Sequence, residues 1–204
     1  MKNDMNRFIV SLFVLLAGGM TASAQHTVES IRQLYGEVQE DIRRMANEEM
    51  PAEYYNLHVK QNLPATGPHD VNIYMYYDEK PGQAENVIYP EHYLRFATTK
   101  YNYAAGEYYE EYLFDAKGQL MFAYSRYVGE EMDNIYELRL WFNGKRLLQV
   151  MAKENTSEDF SHPVFRNVYT GTAIPEKFRE KSVMLKDGGE RIRRMFDSIK
   201  SNPF

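Results

Sequence analysis

The sequence predicts an α+β domain: an antiparallel β-meander sheet with an N-terminal and a C-terminal helix packed on it. Three observations predict it. Most of the chain between residues 53 and 153 breaks into short segments of alternating apolar and polar residues, divided by Gly, Pro, Asn and Asp. Stripes at three- and four-residue spacing occur only near the two ends. The chain is also rich in aromatics, with 17 Tyr, 11 Phe and one Trp, residue types that favour strands and bury much area while keeping a polar tip.

In chain order, residues 1–24 have the form of a cleavable signal peptide. Lys2 and Arg7 precede the apolar run Phe8 to Ala17, Gly18 and Gly19 end it, and Ala22-Ser23-Ala24 supplies a small-x-small exit. The run is shorter than a membrane-spanning helix needs. No Cys stands at the exit to take a lipid anchor. The expectation is therefore an exported protein, periplasmic or extracellular, whose mature form is a single domain over residues 25–204. Residues 27–48 read as a helix with Thr27 as N-cap; Val28, Ile31, Leu34, Tyr35, Val38, Ile42 and Met45 form its stripe, and Pro51 stops it. Residues 53–61 and 70–77 alternate as strands around a Pro- and Gly-containing loop at 62–69. Residues 78–92 read as a long connection and Tyr93 to Tyr103 as a strand that turns at Ala104-Ala105-Gly106. Glu107 to Phe114 and Gln119 to Tyr127 flank the turn Asp115-Ala116-Lys117-Gly118. Ile135 to Phe142 and Lys145 to Lys153 flank Asn143-Gly144, a strong two-residue hairpin signal. Residues 154–181 show no regular pattern. A last helix is expected to start at Asp187-Gly188-Gly189-Glu190, which has the form of a capping box. Its stripe is Ile192, Met195, Phe196 and Ile199, and Asn202-Pro203 ends it.

Charge and composition narrow the function classes. The formal charge is -5, and -6 once residues 1–24 leave with Lys2, Arg7 and Asp4. Without a basic block, nucleic acid is not an expected partner. The chain has no Cys, so disulfides and thiol catalysis are excluded. The remaining 180 residues suffice for one core.

No catalytic constellation is visible. His26, His58, His69, His92 and His162 show no i, i+4 metal spacing. There is no Gly-x-Ser-x-Gly elbow, no phosphate loop and no dinucleotide fingerprint. Glu110 and Glu111 are neighbours on a predicted strand and should face apart. The run Glu130-Glu131-Met132-Asp133 lacks the EF-hand pattern. Asn155-Thr156-Ser157 fits a glycosylation acceptor, and Asp197-Ser198-Ile199 resembles an O-glycosylation motif of exported bacterial proteins. The expectation is an exported binding or interaction module without cofactor or metal, for an unknown ligand or protein partner. The alternative is a hydrolase whose carboxylates or His residues meet only in space, acting on extracellular glycan or peptide.

The Asn143-Gly144 hairpin supplies the candidate surface. With those two residues as the loop, Trp141 pairs with Arg146, Leu140 with Leu147 and Arg139 with Leu148. One face then carries Tyr136, Leu138, Leu140, Phe142, Leu147 and Met151 and reads as core. The other carries Glu137, Arg139, Trp141, Arg146, Leu148 and Val150. Trp141, Arg139, Arg146 and Glu137 are the candidate ligand-binding residues, with Arg146 stacking on Trp141 for roughly 0.5–1 kcal/mol if exposed. Either this face is open and binds a ligand or partner, or a terminal helix covers it.

Three turn regions share an aromatic, then Asp or Asn, then Gly: Tyr77-Asp78 to Gly82, Phe114-Asp115 to Gly118, and Phe142-Asn143-Gly144. They resemble the turns of bacterial MORN-type hairpin repeats. Asp78, Asp115 and Asn143 stand 37 and 28 residues apart, which is not one repeat period. The overall arrangement is similar to small exported proteins of unassigned function from Gram-negative gut bacteria, a resemblance that implies the fold and no activity.

Overall fold

A computed structural model describes residues 26–64, 67–83, 87–88, 90–103, 106–129, 134–157 and 162–201. Residues 1–25, which hold the expected signal peptide and its exit, the turn residues Ala104-Ala105, the acidic run 130–133 and Asn202-Pro203 lie outside the described residues. The chain folds as helix α1 (Val28–Ala46), eight strands, and helix α2 (Arg179–Ser201). The strands are β1 (Tyr54–Leu63), β2 (Gly67–Glu79), β3 (His92–Tyr103), β4 (Gly106–Phe114), β5 (Leu120–Val128), β6 (Ile135–Asn143), β7 (Arg146–Asn155) and β8 (Phe165–Gly171). They form one sheet in sequential order, and every neighbouring pair is antiparallel. The predicted meander with a helix from each end is therefore the observed architecture. No helix among the described residues is long and apolar enough to cross a membrane.

Each face of the sheet has its own apolar cluster, because alternate residues of a strand point opposite ways. On one face Met75, Ala97, Tyr112, Leu138, Leu140 and Val150 pack with Leu185, Ile192 and Phe196 of α2. On the other, Phe96, Leu113, Met121, Phe122 and Trp141 pack with Ile31 and Val38 of α1. Helix α1 starts where its sequence predicts: Thr27 Oγ1 accepts from the Ser30 amide, and Ser30 Oγ accepts from the Thr27 amide. Arg95 on β3 ties the helix down through Asp41 at 2.8 Å.

The structure corrects four expectations. Most of the 62–69 segment belongs to strands, with β1 reaching Leu63 and β2 starting at Gly67, which pair with each other. A strand, β8, lies in the stretch that showed no pattern. It is an edge strand with mostly exposed side chains, so it carries little apolar signature. Asp187 caps nothing: α2 begins two turns earlier, after a 3-10 turn over Glu176–Phe178. Gly188 and Gly189 are buried mid-helix because the helix backbone crosses the sheet over Tyr112 and Leu120. Fourth, the β6–β7 loop is Gly144-Lys145, since Asn143 pairs with Arg146. A bulge follows, so that Trp141 faces Gln149 and Arg139 faces Met151. Val150 thereby joins the α2 core and Met151 turns to the α1 face, the reverse of the expected assignment.

The turn echo in the sequence has a local physical cause. Gly82, Gly118 and Gly144 all hold left-handed backbone, with φ of 82°, 75° and 58°, a region open to Gly without steric cost.

Candidate functional site

The α1 face is a lattice of three residue rows running across β4, β5, β6 and β7. The first row is Leu113, Phe122, Trp141 and Gln149; the second is Glu111, Tyr124, Arg139 and Met151; the third is Tyr109, Arg126, Glu137 and Lys153. Helix α1 seats on the first row, which is apolar but for Gln149, and leaves the second and third beside it. There a cavity of about 620 Å³ opens, within the size range of small-molecule sites. Phe122 and Trp141 form its floor, Arg32 and Tyr35 its α1 wall, and the second and third rows its far side, apart from Glu137.

Two carboxylates organise the walls. Glu111 is buried, 7% exposed. Tyr35 Oη–H donates to it at 2.7 Å and Tyr109 Oη–H at 2.9 Å. Burial pushes the Glu111 carboxyl above its ordinary range, against the two tyrosine hydrogen bonds and the Arg139 charge, which pull it down. Tyr35, Tyr109 and Tyr124 are all raised, first by burial and then by the carboxylate each one touches, so they keep their protons. Glu137 takes Tyr124 Oη–H at 2.8 Å and Arg139 Nη1 at 2.8 Å. The Arg139 guanidinium lies 4.8 Å from the centre of the Tyr124 ring.

The cationic side chains differ in how well they are matched. Arg139 is held by Glu137. Arg32 lies 5.2 Å over the Trp141 ring and 3.5 Å from Gln149 Oε1. Arg126 sits 5.8 Å from the Phe165 ring, and neither it nor Lys153 has a carboxylate partner among the described residues. Four basic side chains and one carboxylate thus line the cavity, in a chain whose formal charge is -5.

Of the residues expected from the sequence, Trp141 and Arg139 line this cavity. Glu137 stands on the same face and anchors Arg139. Arg146 is exposed at the hairpin end, outside the lining. The cation over Trp141 comes instead from Arg32 on α1. Trp141 itself is covered, only 4% exposed, and its ring meets Phe122 at 5.3 Å. So α1 covers the apolar row, and the polar rows remain open. Tyr109, Tyr124 and Arg126 were not expected from the sequence, and Glu111 only as the strand neighbour of Glu110, although pairing β4 with β5 through the Asp115–Gly118 turn groups all four on one face.

The other motifs are accounted for away from the cavity. Glu110 faces the opposite side from Glu111, as strand neighbours must. It accepts from Tyr101 at 3.2 Å, Tyr112 at 2.5 Å and Lys181 at 2.7 Å beneath α2. His58 contacts Asp70 at 2.7 Å, His69 the Asn102 carbonyl at 2.5 Å, and His92 stacks edge-on to Tyr77. Asn155 is 4% exposed, and its amide is engaged with the backbone of Ser157 and Val164, so its acceptor pattern is not presented to solvent. Among the described residues no group of His, Asp or Glu could hold a metal ion. No protein-family model, curated protein or solved structure matches this chain.

Proposed function

We propose that the chain is an exported binding module, with residues 1–24 as a cleaved signal peptide and residues 25–204 as its single domain. Its ligand is a small organic anion that enters the cavity beside α1. The observation that carries this reading is the pair Arg126 and Lys153, half-buried on a cavity wall without carboxylate partners among the described residues. An anion arriving there finds donors that are partly desolvated already, where a charge-assisted hydrogen bond is worth about 1.5–3 kcal/mol. The aromatic floor supplies apolar area beside the charge, the usual composition of a small-molecule site.

The test is titration of residues 25–204 with organic acids and their uncharged analogues, followed by Trp141 emission and by thermal stabilisation. Acids are expected to bind at least about tenfold better than the neutral forms, and Arg126→Ala with Lys153→Ala to remove that preference. Equal binding of charged and neutral forms would refute the reading.

One observation favours a hydrolase instead. Glu111 holds its proton more readily than an ordinary carboxyl and shares its sheet face with Glu137, which is ion-paired to Arg139. An acid and a carboxylate on one sheet face are the components of glycoside hydrolysis. Release of nitrophenol from aryl glycosides, abolished in Glu111→Gln, would support that activity; absence of release across a panel of sugars removes it.

A further inference from the structure

We infer that the ligand of this cavity is a polyhydroxylated anion, an acidic sugar, with its charge at Arg126 and Lys153 and its hydroxyl groups donated to Glu111 and the neighbouring tyrosine oxygens. The inference rests on the anion-binding reading above and comes from counting donors and acceptors. A tyrosine hydroxyl has one proton to give. Tyr35 and Tyr109 both give theirs to Glu111, and Tyr124 gives its own to Glu137. Those three phenol oxygens can therefore only accept from a ligand. Ionised Glu111 has two oxygens with lone pairs to spare beyond the two tyrosine bonds, and no cation lies within ion-pair distance of it among the described residues. Glu111 and these three phenol oxygens thus present acceptors to a ligand, beside the Arg139 guanidinium, whose Nη1 serves Glu137.

Arg126, cross-strand from Tyr109, and Lys153, beyond Glu137, are the reverse. Arg126 and Lys153 offer only donors. They stand in the third row on strands β5 and β7, either side of Glu137 on β6, whose two oxygens already serve Tyr124 and Arg139. A ligand that fills the cavity must bring both an anionic group and several hydrogen-bond donors. An aromatic or aliphatic acid without hydroxyl groups meets the first demand only. It would cover Glu111 and the phenol oxygens and offer nothing to their remaining lone pairs, at a desolvation cost. An acidic sugar meets both demands, whether its charge is a uronate or a sulfate.

The experiment is calorimetric titration of residues 25–204 with four probes. Digalacturonate carries charge and hydroxyls, and a sulfated disaccharide carries both with a different anion. The methyl ester of digalacturonate keeps the hydroxyls without the charge, and benzoate keeps a charge without hydroxyls. At least one of the two acidic sugars is expected to bind about tenfold or more tighter than the ester and benzoate, and which one binds identifies the anion. Glu111→Gln should weaken the acidic sugar about tenfold and leave benzoate unchanged, whereas Lys153→Ala should weaken both. Benzoate binding as tightly as the acidic sugars overturns the donor argument while the anion reading stands. Equal binding of the ester and its acid, or binding of no probe at all, overturns both. The wild-type comparison of acidic sugar with benzoate decides the inference even if Glu111→Gln does not fold.

Discussion

Gly188→Ala tests the packing of α2 on the sheet, because two principles give it opposite signs. In an exposed helix interior, alanine for glycine gains about 1 kcal/mol. Gly188, however, is buried, and a Cβ placed there lands on Tyr112 Oη, with Tyr112 Cζ at 3.3 Å. Tyr112 is fully buried and cannot swing away without losing its bond to Glu110 at 2.5 Å. A hydrogen bond to a charged group contributes about 1.5–3 kcal/mol. The net expectation is a loss of about 1–2 kcal/mol, or about 2–8 °C in Tm for a domain of this size, read by urea denaturation and thermal melts. Tyr112→Phe removes the atom that clashes. In that background Gly188→Ala should be neutral or stabilising, a coupling of about 1–3 kcal/mol in the double-mutant cycle. Stabilisation by Gly188→Ala in the wild-type background would show that α2 does not approach Tyr112 closely, and the packing argument would fall.

Three further outcomes follow from the same geometry. Trp141 emission in residues 25–204 should be blue-shifted and protected from acrylamide, since the ring is 4% exposed beneath α1; a red-shifted, readily quenched signal means α1 does not cover it. Glu111 has a folded-state pKa above its ordinary 4.5, so the stability it confers is full below that value and is lost as pH rises through the folded value. Denaturation of wild type and Glu111→Gln over a pH series should therefore show wild type losing ground to the variant as pH rises through that window, and a gain would contradict the shift. Asn155→Ala should cost about 1–3 kcal/mol, because the buried Asn155 amide is lost and the part-buried backbone groups of Ser157 and Val164 lose their partners; a neutral result in urea denaturation means those groups are hydrated.

The strand order and α1 were legible because their signals are local. Alternation, Gly-bearing turns and a Thr27 cap each act within a few residues of where they are read. The start of α2 was not legible, since over its first half the helix meets the sheet through Ser182, Leu185, Gly188 and Gly189, of which only Leu185 is large and apolar. Small residues at a close approach carry no apolar period, and Asp187-Gly188-Gly189-Glu190 imitates a cap. The candidate site was half legible. Trp141 and Arg139 share a strand face whatever the hairpin register. Arg146 was placed by a register that the bulge between Trp141 and Phe142 shifts. Arg32 and Tyr35 belong to a helix whose seat on the sheet is a long-range fact, so no pattern within the strands announces them.

Glu110 and Glu111 turn this contrast into a decisive pair of substitutions. They are adjacent in sequence, both buried at 8% and 7% exposure, and each accepts from two tyrosines. The difference lies in what else reaches them. Lys181 of α2 closes the hydrogen-bonding of Glu110 at 2.7 Å, with both side chains 11% exposed, whereas Glu111 looks into the cavity. Glu110→Gln leaves the Lys181 ammonium buried without its counter-charge, and breaking such a pair costs about 3–5 kcal/mol. Glu111→Gln leaves no stranded charge, because its partners are neutral tyrosines. It should shift stability by less than about 2 kcal/mol while weakening any hydroxylated anion. The expected pattern is a crossed one: Glu110→Gln unfolds in less urea yet binds normally while folded, and Glu111→Gln keeps its stability and loses affinity. If both substitutions reduce stability equally and neither affects binding, Glu111 is a second structural carboxylate, and the cavity beside it has no claim as a site.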